Sequence, residues 1–499
     1  MKKVLSLLLA LAVAFAIPAG PGLYVADAAA NGTAISTADD LKAMEKNPSG
    51  NYYLANDIEV PANMSLFTDE DRPFTGALDG KGHKIKGYTY ISNEEWFDGV
   101  ALFAYTEKAT FKNLSMTDVN VSLNQAGSAA ALVATMDGGT FSNISVSGKI
   151  TGKYLRRAGG IVGDSYGGGT LTGCKNSADI TVTGAAEESY VAGVAGFLGS
   201  GASVKNCSNS GRISISGNIR EGGFYAAGIV TYADKATSCS NSGTVTVSAT
   251  GSGQQIEACT AAGVAGEVKN GVSCSNTGKV NMNAAIQAVD QHKVGGAFAS
   301  VTKLASKCYN KGAVSYSGKS SRGICVGGVS GTARKISQSY NKGSVTVKIP
   351  SAKSAEQNEV GGVCGLVTDM RNCYNTGSVT ATGAVYAGGI SGYANPWDDK
   401  VVCNYSTGKI KASTKGSYKG QIIGGYNGTE VVQKRNIYNN YYTGSGGGYA
   451  PAYSTQHKYA AKASKVSSIT AGNCPKLSSK YWTYSGKYKR LILKNNKEK

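Results

Sequence analysis

The chain has 499 residues, a formal net charge of +19, 67 glycines and eleven cysteines. No stretch after the N-terminal segment reaches the about 20 apolar residues that a membrane-spanning helix needs, which excludes such a helix there. Lysines are spread along the chain and no nucleic-acid recognition motif is present, which excludes sequence-specific nucleic-acid binding.

The first segment has the pattern of a signal peptide. Lys2 and Lys3 precede an apolar stretch over residues 4–17, and the small residues of 25–30 offer cleavage sites. We therefore predict a signal peptide at residues 1–30 and a secreted, extracellular protein. No Leu-Pro-x-Thr-Gly sorting motif is found, so any association with a cell wall is expected to be noncovalent.

Residues 31–110 are predicted to form an N-terminal cap and the first coils of a solenoid. Ser36 or Thr37 can cap a short helix over residues 39–44, with acidic residues in its first turn. Leu41 and Met44 share one face of that helix, which would cover the open hydrophobic end of the stack.

Residues 111–445 contain an internal repeat of about 33 residues, the period of a solenoid or propeller. One anchor of the repeat is a small residue, and a second anchor, a Gly-Gly pair, recurs in step with it. The small-residue anchors are Cys174, Cys207, Cys239, Cys274, Cys308, Ser339, Cys373 and Cys403. Two anchors in constant phase indicate a structural repeat.

Each repeat contains short runs that alternate apolar and polar residues, as in residues 212–216, and none has a helical period. Such strands bury their apolar face when coils stack about 4.8 Å apart. A propeller needs longer units of about 40–45 residues. We therefore predict an all-β, right-handed parallel β-helix of roughly eleven coils with a short N-terminal helical cap.

Most of the cysteines occupy one equivalent position per coil, where side chains that stack in register point the same way rather than toward each other. Ser339 fills this position once, which suits a small buried side chain better than a disulfide. We expect mostly buried thiols, although the sequence leaves disulfides open. No metal site is predicted, because the sequence has no Cys-x-x-Cys pair.

The opening segments 35–41, 53–58 and 74–85, together with the Gly-Gly-Val-x-Gly units, resemble bacterial surface proteins that carry the GLUG motif on a pectin-lyase-like β-helix. The resemblance implies an exported, adhesin-like protein, and the same domain is found in the non-catalytic part of large immunoglobulin-cleaving proteases. The chain has no His-Glu-x-x-His motif, so metalloprotease activity is not expected.

The segment between each alternating strand and the next Gly-Gly pair varies most between repeats. Insertions at one phase of a solenoid lie along one edge, which is often the binding edge. Neutral variation of exposed loops is the alternative. The residues that we predict for a binding edge for glycans are Tyr154, Arg156, Arg157, Tyr190, Arg220, Tyr225, His292 and Arg322.

An acidic pair, Asp398 and Asp399, interrupts one regular coil beside Pro396 and Trp397. Paired carboxylates can hydrolyse glycosides or hold calcium when the fold brings them to suitable distances. These two residues are therefore catalytic candidates, and calcium is a candidate ligand. A bulged turn that accommodates the proline explains the pattern equally well, and no other cofactor is predicted.

Residues 446–499 are predicted to form a C-terminal cap and a basic tail. From Lys458 onward, eleven basic residues face one acidic residue, Glu498. Lys487, Lys489, Arg490 and Lys494 are the candidate contacts to polyanions such as cell-wall polymers.

We therefore predict a secreted, adhesin-like protein that binds glycans or polyanions of a cell envelope or host. A polysaccharide lyase or glycoside hydrolase on a β-helix scaffold is one alternative. A structural, wall-associated spacer is the other. The sequence does not settle the oligomeric state.

Overall fold

The computed structural model is a parallel β-helix of about eleven coils, which confirms the predicted architecture. It describes residues 32–94, 97–184, 187–286, 288–319, 322–396, 399–426, 435–449 and 463–498. The predicted signal peptide lies outside the described residues. Among the described residues, no helix is long and apolar enough to cross a membrane.

A short helix caps the N-terminal end, as predicted. The α-helix Ala38–Ala43 continues into the 3-10 turn Met44–Lys46, and Thr37 is its N-cap. The Asp40 backbone N–H donates to Thr37 Oγ1 at 3.1 Å, and the Thr37 N–H donates to Asp40 Oδ2 at 2.9 Å. Leu41 and Met44 are fully buried, so the helix covers the end of the apolar core.

The first coils are irregular and the next ones contain two long bent strands. The strands of the first coils are Thr33–Ile35, Asn51–Leu54, Ile58–Glu59, Ala77–Asp79, Lys84–Lys86, Thr89–Ser92, Gly99–Val100 and Phe103–Glu107. The following strands are Thr110–Ala129, Val133–Asp137, Thr140–Gly159 and Val162–Ser165. Parallel pairing between coils begins with Thr33–Ile35 on Asn51–Leu54.

Later coils repeat four kinds of strand, each paired in parallel with its equivalent in the next coil. The glycine strands end at or beside the Gly-Gly pair and are Ser189–Ala192, Phe224–Ala227, Thr260–Ala262, His292–Gly295, Ile324–Gly327, Asn358–Gly361, Tyr386–Gly388 and Tyr418–Gly420. The post-glycine strands are Thr170–Thr172, Ser203–Lys205, Val230–Thr237, Ala265–Val272, Phe298–Ser306, Ser330–Ser337, Cys364–Arg371, Ser391–Ala394, Val401–Val402, Ile423–Tyr426 and Ile437–Tyr438.

The other two kinds complete each coil. The asparagine strands are Lys175–Asn176, Ser208–Asn209, Ser240–Asn241, Ser275–Asn276, Tyr309–Asn310, Tyr340–Asn341, Tyr374–Asn375, Tyr405–Ser406, Tyr441–Tyr442 and Ser464–Lys465. The alternating strands are Asp179–Val182, Ile213–Gly222, Val245–Ile256, Val280–Ala285, Val314–Gly318, Val345–Lys348, Val379–Thr382 and Ile410–Ala412. Their alternating burial confirms the half-buried strands that the sequence predicts.

A buried asparagine ladder links the coils. From Asn176 to Asn341, each asparagine Nδ2 donates to the Oδ1 of the next asparagine at 2.8–2.9 Å and to the carbonyl two residues later in its own turn. Asn375, the last member, donates to the Gly377 carbonyl. The members are Asn176, Asn209, Asn241, Asn276, Asn310, Asn341 and Asn375. This ladder satisfies buried amides that would otherwise destabilise the fold.

The Gly-Gly pair packs directly against this ladder. A Cβ at Gly296 would lie 2.0 Å from the carbonyl oxygen of Gly328 and 2.3 Å from Asn310 Cγ. Glycine is therefore required here because neighbouring backbones and the ladder leave no space for a side chain. The recurrence of both sequence anchors once per repeat is consistent with this contact.

The small-residue row also lies in the core, and its thiols donate to backbone carbonyls. Cys207 Sγ, for example, lies 3.4 Å from the carbonyls of Lys205 and Leu171. All eleven cysteines are unpaired.

The assignment of Cys403 to this row is wrong, because Tyr374 pairs with Tyr405 and the position of Cys373 therefore falls on Asn404. Cys403 instead occupies the preceding turn position, with φ of 59°.

The C-terminal segment folds back along the side of the coils and forms the antiparallel hairpin Trp482–Ser485 and Arg490–Leu493. Trp482 packs on a stack of tyrosines with ring spacings of 4.9–5.1 Å, formed by Tyr309, Tyr340, Tyr374 and Tyr405. Asn496 Nδ2 donates to the Cys308 carbonyl at 3.2 Å. The segment therefore stabilises several earlier coils rather than only the last one.

Candidate functional site

The candidate site is a groove between the glycine strands and the post-glycine strands. Parallel register places Arg157, Tyr190, Tyr225 and Thr260 in one row of successive coils. Strand alternation directs these side chains away from the core, whereas their neighbours in the chain enter it. We call the cavities along this groove the N-terminal, aromatic and C-terminal cavities.

The N-terminal cavity consists of two adjoining spaces of about 460 and 350 Å³ that share Glu70, Tyr105, Thr135 and Tyr166. Asp164 lies in its wall, and burial raises the pKa of this carboxyl. Arg157 Nε lies 3.7 Å from Asp164 Oδ1. This end of the groove therefore combines carboxylates with two guanidinium groups, of the half-buried Arg157 and the exposed Arg156.

The aromatic cavity has a volume of about 260 Å³ and lies between two ring stacks. The Tyr190 and Tyr225 rings stack with centroids 4.4 Å apart, and Phe197 stacks on Tyr232 at 5.5 Å. The Arg157 guanidinium covers the other face of Tyr190 at 4.1 Å from the ring centroid. The first stack is thus closed at its Arg157 end.

Both stacks end at the same coil. Thr260 follows Tyr225 in the row of glycine strands, and Glu267 follows Tyr232 in the row of post-glycine strands. Neither Thr260 nor Glu267 carries a ring. The outer faces of Tyr225 and Tyr232 are therefore not covered by a further aromatic side chain, and they border the cavity. The arrangement offers two aromatic platforms to a ligand.

Polar groups surround these platforms. The Tyr225 hydroxyl donates to Glu257 Oε2 at 2.8 Å, and the Tyr190 hydroxyl donates to Glu188. Burial is the main cause that raises the pKa of both tyrosines, so the hydroxyls remain donors. The remaining charged residues of the lining are Glu267, Asp290 and Lys293.

The C-terminal cavity has a volume of about 480 Å³ and shares Asp290 with the aromatic cavity. Glu359 lies in its wall and is 6% exposed. Gln291 Nε2 donates to Glu359 Oε2 at 3.2 Å, and Cys325 Sγ lies 3.3 Å from the same oxygen. Burial raises the pKa of Glu359 to about 7.

Five residues of the predicted binding edge line this groove. Arg157 joins Tyr190 and Tyr225 in the central stack, Arg156 lines the N-terminal cavity and Arg322 lines the C-terminal cavity. Tyr154, with 42% exposure, and the exposed Arg220 line none of the described cavities.

His292 lies in the core instead. It belongs to the glycine strand His292–Gly295, where alternation places Lys293 in the aromatic cavity and His292 inside. The Cys259 N–H donates to His292 Nδ1 at 3.0 Å. Burial lowers the pKa of this imidazole to about 4.

The remaining candidate residues lie apart from the groove. Asp398 is outside the described residues. Asp399 is half-buried, and its carbonyl accepts a hydrogen bond from Asn436 Nδ2 at 2.6 Å. No group of three or more metal-ligating side chains is found in the part of the chain that the structure describes.

The four candidate tail residues belong to the folded C-terminal segment. Lys487, Lys489 and Lys494 are exposed. Arg490 pairs with Glu498, whose carboxylate is fully buried and also contacts Lys342 Nζ at 2.6 Å. Arg490 is therefore engaged in holding the segment against the coils.

Sequence reasoning missed Phe197, Tyr232, Glu257 and Glu359. Phe197 and Tyr232 each lie four residues after the glycine of an Ala-Gly pair, Gly193 and Gly228, so aligning the repeats would have placed them in one row. Glu257 and Glu359 lie in variable segments and carry no motif. Their proximity to the rings or to Cys325 depends on coil register.

Parts of the chain are similar in sequence to known proteins. Residues 23–148 match the family model described as the M26 IgA1-specific metallo-endopeptidase N-terminal region. A stretch of 155 residues is 28% identical to halomucin of Haloquadratum walsbyi (strain DSM 16790 / HBSQ001), covering 28% of this chain and 2% of halomucin. The chain thus spans a small fraction of the curated relative it matches.

One solved structure is similar over most of its length. It is described as "a putative immunoglobulin A1 protease" from Bacteroides ovatus, with 13% identity, a TM-score of 0.30 and 94% of each chain covered. The strand pairing of the chain itself makes it a parallel β-helix, and residues 23–148 are similar to the N-terminal region of M26 endopeptidases.

Proposed function

We propose that the protein is a secreted, surface-type β-helix that binds an extended glycan along the groove. The observation that carries this proposal is the aromatic cavity, where the outer ring faces of Tyr225 and Tyr232 border one space with carboxylates and Lys293 around it. Ring faces bind the apolar C–H faces of sugars, and the surrounding polar groups bind hydroxyls. Together these two features make a carbohydrate site.

The length of the groove favours a polymer over a single sugar. The aromatic and C-terminal cavities share Asp290, and the Arg157 stack separates the aromatic cavity from the N-terminal one. A chain that occupies the aromatic cavity would therefore extend toward Glu359 in the next cavity.

Similarity to an IgA1-specific endopeptidase region and to halomucin fits an extracellular setting, because immunoglobulin A1 is an extracellular protein.

The charge of the groove favours neutral or amino-sugar glycans. Glu257, Glu267 and Asp290 surround the aromatic cavity, against the single cation Lys293. A polyanion would be repelled there, although the whole chain has a formal net charge of +19. We therefore propose the groove as the site for neutral or amine-bearing glycans.

A second candidate function is polyanion binding outside the groove. The exposed positions of Lys487, Lys489 and Lys494 favour it. Binding of this kind would weaken steeply with salt, because it depends on charge rather than on ring contacts. Groove binding of a neutral glycan would change little between low and physiological salt.

The test is a glycan array followed by titration calorimetry with the purified protein. Tyr225→Ala should weaken binding of the selected glycan by at least about fivefold, since one ring contact contributes about 1 kcal/mol or more. Tyr154→Ala is the matched control, because Tyr154 is an exposed tyrosine outside the described cavities. Equal binding by wild type and Tyr225→Ala would contradict the proposal.

A further inference from the structure

The C-terminal cavity holds an acidic side chain that the fold does not require. Glu359 follows Thr260, Lys293 and Cys325 in the row of glycine strands, and Tyr386 comes next. Neutral side chains therefore fill the equivalent position in several coils. A buried carboxyl costs stability relative to such residues, which makes a purely structural role a poor explanation.

Two kinds of carboxyl group meet at this cavity. Glu359 is enclosed in the wall, whereas Asp290 and Glu356 are exposed. Both side-chain hydrogen-bond contacts to Glu359, from Gln291 and Cys325, go to Oε2. Among the described groups, Oε1 is therefore the oxygen suited to carry a proton, and burial favours the protonated form.

The cavity also has the other parts of a sugar subsite. Tyr386 and Tyr393 form an edge-to-face ring pair in its lining, with centroids 5.1 Å apart. Arg322 supplies a guanidinium at the same cavity. Asp290 borders both this cavity and the aromatic cavity, so a glycan that extends from one to the other passes this carboxylate.

We propose that the C-terminal cavity hydrolyses the glycan, with Glu359 as the general acid and Asp290 as the general base. This inference rests on the glycan-binding function proposed above. Two carboxyl groups in different environments are the means by which glycosidases separate these two roles.

The reaction balances with water as the only co-substrate. Glu359 donates its proton to the glycosidic oxygen while the bond between that oxygen and the anomeric carbon breaks. Water forms the new bond to the anomeric carbon, and Asp290 accepts the proton that this water loses. Transfer of that proton to solvent and reprotonation of Glu359 restore the site.

The experiment uses end-labelled hexasaccharides of glucose, N-acetylglucosamine and glucosamine, incubated with the purified protein in H₂¹⁸O. Wild type should release shorter oligosaccharides that carry one ¹⁸O atom at the new reducing end. Glu359→Gln and Asp290→Asn should each lower the rate at least 100-fold and leave the affinity for the neutral glucose oligosaccharide, measured by calorimetry, within about threefold. Glu221→Gln, an exposed carboxylate outside the described cavities, should leave both unchanged.

The negative results of this experiment can be distinguished from one another. Binding that depends on Tyr225 without labelled product from wild type would overturn hydrolysis and leave the binding function intact. Unchanged release by Glu359→Gln would overturn the acid role, and unchanged release by Asp290→Asn would overturn the base role. Absence of binding by all three oligosaccharides, with no product, would overturn both proposals for these glycans.

Discussion

The ladder side and the groove side of this β-helix follow opposite rules. On the ladder side, asparagines repeat at one position from Asn176 to Asn375, and each bonds to the next. On the groove side, one row changes from Arg157 through Tyr225 and Thr260 to Glu359. Identical residues suit contacts between coils, whereas a changing row gives each part of the groove its own chemistry. The comparison locates stability on one side and the proposed recognition of a ligand on the other.

The largest loss of stability is expected from a substitution on the ladder side, at a position that has no space for a larger side chain. Gly296→Ala should destabilise the protein by about 3 kcal/mol or more, because the new Cβ meets a backbone oxygen at 2.0 Å. Gly486→Ala is the matched control, since a Cβ at that position would have no heavy atom within 4 Å among the described residues outside its chain neighbours. Urea unfolding of both variants measures the difference. Equal midpoints would show that the coils can separate at little cost.

The pH dependence of stability compares a groove-facing residue, Glu359, with a core-facing residue, His292, both of which belong to glycine strands. The raised pKa of Glu359, about 7, makes the folded state less stable as pH rises from about 4.5 to 7, because the unfolded chain loses this proton first. The lowered pKa of His292, about 4, makes it less stable as pH falls from about 6.5 to 4, because the unfolded chain gains this proton first. Each effect reaches about 3 kcal/mol at its limit.

Variants separate the two effects. Relative to wild type, Glu359→Gln should gain stability as pH rises through this window, and His292→Asn should gain it as pH falls. Chemical unfolding at several pH values from 4 to 8 measures both differences. A difference from wild type that stays constant with pH would show that the group titrates normally in the folded protein.

A single break in the ladder has a smaller expected effect. Asn276→Ala removes the bonds to Asn241, Asn310 and the Gly278 carbonyl, but Asn241 keeps its bond to its own turn. We therefore expect a loss of about 2 kcal/mol. Asn218→Ala, at an exposed position of an alternating strand, serves as the control and should change stability by less than about 0.5 kcal/mol. Thermal unfolding of the two variants compares them directly.

The sequence predicted the repeat, the parallel coils and the helical cap because these depend on spacing and local pattern. The Gly-Gly anchor and the small-residue anchor are visible in one dimension, and both lie at contacts that recur in every coil. One error, at Cys403, came from taking residue type instead of strand register as the guide.

The groove was harder to predict because its partners come from different coils. Arg157, Tyr190 and Tyr225 were identified as candidates, yet their stacking requires the exact register of three strands. His292 shows the limit of this reasoning, since one step along a strand moves a side chain from groove to core. The raised pKa of Glu359 arises from burial that no local motif records.

The smallest change in stability is expected for a substitution on the groove side. The change in affinity that the same substitution causes carries the most information about the ligand. Glu267→Gln removes one carboxylate at the aromatic cavity and keeps its shape, so stability should change by less than about 0.5 kcal/mol. Affinity for a glucosamine oligosaccharide should fall several-fold, because its ammonium groups lose a partner, whereas affinity for the N-acetylated oligosaccharide should stay the same. Calorimetry with both ligands at one pH measures the two affinities. An equal fall for both would mean that Glu267 accepts hydrogen bonds from hydroxyls, and the groove would then select sugars by shape rather than by charge.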